Sequence, residues 1–215
     1  MMMHDFLVPP ALVETFARGW ATTRGVVPPK PDGAALRIET GQPHEARRYI
    51  FARPPAGIRA IAASITKPGI LLKAAMAPEL VAQHLPPHWH VEQTGTTMTV
   101  QSLPHAPCPL AHGFTLAAHW QAAIYSVRIM GLDGSEAARG RMTLVDGWAL
   151  HDNIYVAEQL RRHGLGRAVM TALGIEAGRR GINRGLLNAT AAGRALYKTM
   201  GWTARAPWVT AQISA

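Results

Sequence analysis

Cysteine is almost absent from this sequence: Cys108 is the single one among 215 residues. One cysteine excludes an internal disulfide and a metal site built on cysteines, and it predicts a reducing, cytoplasmic environment. Long apolar runs are missing too, since none reaches the roughly 18 residues of a membrane span. Residues 1–10 lack a cationic stretch followed by a long apolar one. We therefore expect neither a membrane partner nor a signal peptide.

Charged residues are also few, at 16%, against 48% hydrophobic residues, which argues against disorder. Their balance is basic, with a net charge of +9 and a pI near 10.6. A basic chain attracts polyanions, either nucleic acid or an anionic small molecule. Because lysine and arginine form no long runs, we do not expect a nucleic-acid partner. Histidines 84, 88 and 90 lie among prolines without ligand spacing, so we predict no metal site.

The first half of the chain has the pattern of an α/β domain. Apolar residues at Leu12, Phe16 and Trp20 predict a helix over 11–24. Further elements follow in the order strand 36–38, strand 48–51, helix 58–65, strand 70–73, helix 78–84 and an extended stretch over 89–102. The proline-rich segment 103–113 has no periodicity. We place the domain boundary there, which gives domains of residues 1–105 and 106–215.

The second half of the chain shows clearer periodicity. Strands are predicted over 123–130 and 136–145, joined by a turn at Asp133-Gly134, and over 150–157. A helix over 164–180 ends at Gly181, and a strand over 186–189 leads to a helix that Thr190 can cap. A last strand covers 202–213. No helices are evident between 111 and 123.

The stretch Arg161-Arg162-His163-Gly164-Leu165-Gly166 follows a predicted strand and opens a predicted helix. The first amides of a helix lack internal acceptors, and the helix dipole adds positive charge at that end. Glycines let a ligand approach the backbone closely. The stretch therefore suits a pyrophosphate, although an ordinary strand–helix turn would explain two glycines equally well.

Three linked motifs favour the first interpretation. Arg161-x-x-Gly164-x-Gly166 resembles the pyrophosphate loop of the GNAT superfamily of N-acetyltransferases, Q/R-x-x-G-x-G/A. Residues 154–156 (IYV) and 186–190 (LLNAT) resemble the family's fourth and fifth strands. Residues 196–202 (LYKTMGW) resemble its L-Y-x-x-x-G-F/W ending. The resemblance covers about 120–213 and is strongest over 150–202.

The resemblance implies an α/β (α+β) fold: a mixed, mostly antiparallel, twisted sheet flanked by helices. It also implies an N-acetyltransferase that passes an acetyl group from acetyl-CoA to an amine by direct attack in a ternary complex. The residues it would place at the cofactor are Val156, Arg161, Arg162, His163, Gly164, Leu165, Gly166, Arg167, Thr190 and Tyr197. Many family members have Asn at the position of Thr190.

The same resemblance would place Tyr197 near the sulfur, where it can protonate the departing thiolate; otherwise Tyr197 is a core aromatic residue. Candidates for the general base are Asp152, Glu158 and His151. Asp152 has the same strand parity as Ile154 and Val156, unless a bulge reverses it.

Some features depart from the family pattern. The two helices that usually follow its first strand are not evident. The order of elements over 48–100 echoes the second half of a GNAT unit without a glycine loop. Two interpretations stay open for this region: a degenerate GNAT-like copy, or an α/β extension that shapes the acceptor pocket. The alternative function is a catalytically weak CoA-binding sensor, and a homodimer also stays open.

Overall fold

A computed structural model of the protein describes residues 8–53 and 56–213. Among these residues the α-helices are α1 (Pro10–Arg24), α2 (Ala56–Ser64), α3 (Pro78–Ala82), α4 (Leu165–Arg179) and α5 (Ala191–Thr199). The strands are β1 (Lys30–Asp32), β2 (Ala35–Gln42), β3 (Glu45–Phe51), β4 (Ile70–Ala74), β5 (Trp89–Val100), β6 (Phe114–Gln121), β7 (Ile124–Gly131), β8 (Glu136–Val145), β9 (Trp148–Val156), β10 (Gly185–Ala189) and β11 (Thr203–Ile213).

The strands form mixed, mostly antiparallel sheet flanked by helices, which confirms the predicted fold class. Within the described part of the chain, no helix is both long enough and apolar enough to cross a membrane. Packing divides the chain into two compact units. The first holds residues up to Met98 with Asn188–Ala191 and those from Ala204 onward, and the second holds Thr99–Leu187 and Ala192–Thr203. Because these units are defined by packing and not by independent folding, the domain boundary after residue 105 stays a prediction.

The strand order in the first unit is β1-β2-β3-β4-β11-β5. α2 connects β3 to β4, which are parallel and in register from Arg47 opposite Ile70 to Phe51 opposite Ala74. The core on one side of this sheet includes Phe51, Ile58, Leu72, Trp89 and Val209. α1 begins with Pro10 in its first turn and is capped by Gly25, whose left-handed conformation lets its amide reach the last carbonyls of the helix.

The strand order in the second unit is β10-β9-β8-β7-β6, antiparallel except for β9 and β10. α4 packs across β7, β8 and β9. Residues 122 and 123 alone join β6 to β7, so no helix lies there, as the sequence indicates. Asp146 and Gly147, both with positive φ (49° and 74°), form the turn between β8 and β9.

A β-bulge in β9 changes which face of the sheet its residues occupy. Arg139 lies opposite Tyr155 and Arg141 opposite Asp152, so Gly140 faces two residues of β9. One of these, Asn153, has a φ of 55°. The bulge therefore reverses the parity expected for Asp152, which lies beside Arg141 and not on the face of Ile154.

Candidate functional site

The loop between β9 and α4 leaves backbone donors unused at the start of the helix. Gly164 is the N-cap residue of α4, with φ 77° and no capping side chain. The first hydrogen bond of the helix runs from the Ala168 amide to the Gly164 carbonyl, at 3.0 Å. The amides of Leu165, Gly166 and Arg167 precede it and have no acceptor within the helix. A helix end of this kind is suited to an anion.

The loop itself has two residues in the left-handed region. Arg162 has φ 71° and Gly164 has φ 77°. Alternation of left-handed residues with ordinary ones turns successive amides toward one side, as in anion-binding nests. A side chain at positive φ costs about 1–2 kcal/mol, so Arg162 is held in a strained conformation. This strain could not be predicted from the sequence, because a positive φ is expected at glycine or asparagine and not at arginine.

The two glycines serve different purposes. A Cβ atom added at Gly164 would meet nothing within 4 Å, so its glycine is required by backbone conformation. A Cβ atom at Gly166 would lie 2.9 Å from Leu196 Cδ2 and 3.5 Å from Val156 Cγ2. Gly166 thus allows α4 to begin close to α5 and to the end of β9. The absence of a Cβ atom at Gly166 therefore has a packing reason, and the close approach of a ligand at the two glycines stays a prediction.

Three arginines of the predicted set differ in how they are held. Arg161 and Arg162 are exposed, and Arg161 Nη1 lies 3.5 Å from Glu158 Oε1. Arg167 is half-buried and donates from Nη2 to Thr199 Oγ1 at 2.7 Å. The Glu158 side chain is 86% exposed, so its ion pair contributes little and it is poorly placed to accept a proton in a dry site.

β9 has an open edge just before this loop. Its parallel pairing with β10 consists of Ala149 opposite Gly185 and Leu150 opposite Leu186. β9 continues to Val156, and among the described pairs residues 151–156 have no parallel partner. An extended ligand that leads to the loop could pair with the backbone along this edge, where the parallel pairing has ended.

Tyr197 lies on α5 in the second unit with its side chain buried, at 6% exposed. Its ring centroid is 6.1 Å from that of Trp202. Burial, and after it the charge of Asp152, raise the pKa of Tyr197 to about 12. The structure therefore brings Tyr197 and Asp152 within electrostatic range of each other and keeps the phenol protonated at neutral pH.

His151 is enclosed, with 2% of its surface exposed. Its Nδ1 lies 3.0 Å from the Ala149 carbonyl oxygen, and its ring meets Trp202 edge-on at 5.3 Å. Burial lowers its pKa to about 4, against the smaller raising effect of that hydrogen bond. A neutral, enclosed imidazole has the properties of a core residue and not of a base open to substrate.

Two further residues complete the account of the predicted site. Thr190 follows β10 directly, is exposed and belongs to the first unit, so its cofactor bond stays a prediction. Arg141 was not singled out from the sequence, yet it lies directly opposite Asp152. The signal was present, because Arg139 and Arg141 alternate with small and apolar residues along a predicted strand.

Comparison with known proteins shows which family part of this chain is similar to. The family model described as acetyltransferase (GNAT) domain matches residues 118–204. The comparison with curated proteins gives no match.

Several solved structures are similar in fold over both units. A GCN5-related N-acetyltransferase from Kribbella flavida is 16% identical, with a TM-score of 0.65, over 95% of this chain and 96% of that one. A GCN5-related N-acetyltransferase from Sphaerobacter thermophilus is 11% identical, with a TM-score of 0.56, over 96% and 93%. A tandem GNAT protein from the clavulanic acid biosynthesis pathway is 14% identical, with a TM-score of 0.56, over 86% and 82%.

Proposed function

We propose that this chain, whose residues 118–204 match the acetyltransferase (GNAT) domain, transfers an acetyl group from acetyl-CoA to an amine. One observation carries the proposal. A strand whose parallel pairing ends early leads into a helix whose first amides have no acceptor. That combination offers an extended edge for a pantetheine chain and an anion site for a pyrophosphate.

The residues of the loop suit a diphosphate. The amides of Leu165, Gly166 and Arg167 would donate to its oxygens, and the dipole of α4 adds positive charge there. Arg161 and Arg162 are exposed beside these amides and would add charge from the solvent side. The Val156 backbone lies at the end of the open edge, where it would bind the acyl-pantetheine region of the cofactor. The positive net charge favours capture of such an anion.

Bound acetyl-CoA would supply a thioester, an acyl group already activated toward amines. The amine nitrogen attacks the carbonyl carbon, the C–N bond forms, and the C–S bond breaks to release a thiolate. We assign the amine proton to Asp152, which is half-buried and near Tyr197. Holding the amine and the thioester together supplies most of the acceleration, so no covalent enzyme intermediate is needed.

Tyr197 would donate a hydrogen bond to the leaving sulfur. Because its pKa is about 12 and that of a thiol is about 8.5, complete proton transfer from the phenol to the thiolate is uphill. A donor that stays protonated still stabilises the charge that develops on sulfur. When Asp152 takes the amine proton, it also stops raising the pKa of Tyr197, so the two residues act together.

The test has two stages. Calorimetry with acetyl-CoA should give saturable binding by the wild-type chain, and absence of binding at millimolar ligand would refute the proposal. Release of free thiol is then measured across primary amines, amino acids, polyamines and peptides. Turnover with any class supports an enzyme, whereas binding without turnover on all of them identifies a CoA sensor instead.

A further inference from the structure

One face of the second-unit sheet is polar and carries arginines in a row. α4 covers the other face, because a Cβ atom added at Gly140 would meet Val169 and Leu173 of that helix. Side chains alternate across a strand, so the neighbours of Gly140 point away from α4. The strand registers then define what we term the polar face. Its residues are Ser126, Arg128, Arg139, Arg141, Asp152 and Tyr155.

Two arginines of the polar face, Arg128 and Arg139, are held in place yet reachable. The Arg139 guanidinium lies 4.4 Å from the centroid of the Tyr155 ring and donates to Glu136. Arg128 Nε lies 3.4 Å from the same carboxylate. The side chains of Arg128 and Arg139 are 61% and 34% exposed. Glu136 thus serves two arginines, and positive charge exceeds negative charge at this end of the face.

The polar face also reaches the reacting groups. Asp152, the residue we assign to the amine proton, lies directly opposite Arg141 on the neighbouring strand. Side chains at such positions have Cβ atoms about 5 Å apart. Arg139 is two residues from Arg141 along β8, a separation of about 7 Å between these two residues. A small molecule with its amine at Asp152 would therefore place a group a few bonds away against Arg139 and Arg141.

We propose that the acceptor is a small amine that also carries an acidic group, and that Arg139 and Arg141 bind this group while the amine lies at Asp152. The inference rests on the proposed acetyl transfer and specifies its substrate class. A guanidinium fork matches a carboxylate or a phosphate through paired hydrogen bonds, and its charge persists at every working pH.

The experiment compares matched acceptors. Each amine is supplied as a carboxylate, as a phosphate and as a neutral amide or alcohol, and kcat and KM are measured for each. We expect kcat/KM for the preferred acidic form to exceed that of its neutral analogue at least about tenfold, since a hydrogen bond to a charged group is worth that much. The carboxylate and phosphate arms show which acid the face accepts. Equal kcat/KM for acidic and neutral forms would overturn the inference.

Variants separate this role from a structural one. Arg141→Gln should raise KM for the acidic amine about 10- to 100-fold and leave KM for the neutral analogue and the Kd of acetyl-CoA unchanged. Arg141→Lys should restore part of the preference. The matched control is Arg179→Gln, which removes the same charge from the exposed end of α4. Arg139→Gln serves in place of Arg141→Gln if the latter does not fold.

Calorimetry with the amines keeps the inference testable without turnover. Acidic amines should bind the CoA-loaded wild type and lose that binding in the Arg141 and Arg139 variants. A different result is that acetyl-CoA binds and acidic amines bind through Arg141, but no amine is acetylated. That result refutes the proposed acetyl transfer and supports the acid-binding role of the polar face. If both arginine variants still prefer acidic amines to neutral ones as the wild type does, the proposed acid-binding role of the polar face is refuted and the proposed acetyl transfer is unaffected.

Discussion

Each of the two units contains two parallel strands connected by a helix. These two strand–helix–strand motifs differ at the point where a ligand would bind. In β3–α2–β4 the strands pair at five consecutive positions, from Arg47 and Ile70 to Phe51 and Ala74. In β9–α4–β10 they pair at two. A fully paired strand has already used its backbone groups on that side. In the proposed function, early separation of β9 from β10 is the feature that offers backbone to a ligand.

The helix starts teach the same lesson more finely. Both α2 and α4 have glycine as their second residue, Gly57 and Gly166. At each one an added Cβ atom would collide with a neighbour, which is Ala34 Cβ at Gly57 and Leu196 Cδ2, at 2.9 Å, at Gly166. Glycine at this position therefore serves packing in both units. Gly164, just before α4, has in addition a φ of 77°, so there glycine is required by backbone conformation.

The contrast is tested most severely at Gly164. Gly164→Val places a β-branched residue at φ 77°, so the loop must change conformation and turn its amides away. Losing two hydrogen bonds to a charged ligand should weaken acetyl-CoA binding about 1,000-fold, measured by calorimetry.

The matched control for Gly164 lies in the first unit. Gly69 has φ 85° and, like Gly164, nothing within 4 Å of an added Cβ atom. Gly69→Val should cost similar stability in thermal denaturation without changing acetyl-CoA affinity. Equal losses of affinity in both variants would mean that binding reports general stability, and the assignment of the loop would be wrong.

The paired strands β3 and β4 of the first unit include a buried lysine, Lys73, whose burial disfavours its charged form. Its Nζ donates to Thr210 Oγ1 at 2.7 Å inside the sheet. Burial, and then the neighbouring Arg48, lower its pKa from 10.5 to about 8, although Glu45 and Glu92 oppose this. Between these two pH values the unfolded chain binds more protons than the folded one. The free energy of unfolding should therefore rise with pH across that window, by about 3 kcal/mol.

Lys73→Met should remove this rise, measured by urea denaturation at several pH values. The control Lys67→Met deletes the same charge at an exposed position after α2 and should keep the wild-type pH dependence. A Lys73→Met curve parallel to that of the wild type would show that the lysine is charged in the folded chain throughout.

Most of this architecture could be predicted from the sequence because hydrophobic periodicity and turn chemistry report it directly. The element order from α1 to β11 follows the predicted one, with β1 and β6 missed. β6 does alternate, with Phe114, Leu116, Ala118 and Trp120 on one side. The turn that closes it contains Ala122 at φ 50°, a residue that carries no turn signal.

The site was harder to predict where geometry depends on irregular backbone. The sequence indicates a loop between a strand and a helix at the two glycines, and the structure has one there, while its ligand stays a prediction. The sequence allows a bulge near Asp152 but does not require one, and the bulge at Asn153 decides which face Asp152 occupies. Cross-strand neighbours such as Arg141 depend on register, which a single strand's pattern does not specify.

A smaller effect is expected at Tyr197. In the proposed mechanism, no residue of the first unit has a role that corresponds to the role of Tyr197. Tyr197→Phe keeps the ring against Trp202 and removes the hydroxyl. We expect kcat to fall about 10- to 100-fold with acetyl-CoA affinity unchanged, because the lost bond acts on the charge that develops at sulfur. Tyr125→Phe, at a half-buried tyrosine of β7, is the control and should leave kcat unaltered. An unchanged kcat in Tyr197→Phe would assign the residue to the core.

The smallest effect concerns the coupling between Asp152 and Tyr197. Because the Asp152 charge is the second cause of the raised pKa of Tyr197, Asp152→Asn should lower that pKa while burial keeps it above its ordinary value of 10.0. Ultraviolet titration of the phenolate, compared with Tyr197→Phe to identify the signal, measures the change. Glu158→Gln removes a carboxylate whose side chain is 86% exposed and should leave the titration of Tyr197 as it is. If both variants gave the wild-type curve, Asp152 would act on the amine without assistance from Tyr197. β9 would then bind the ligand through its backbone, and Asp152 of β9 and Tyr197 of α5 would work independently.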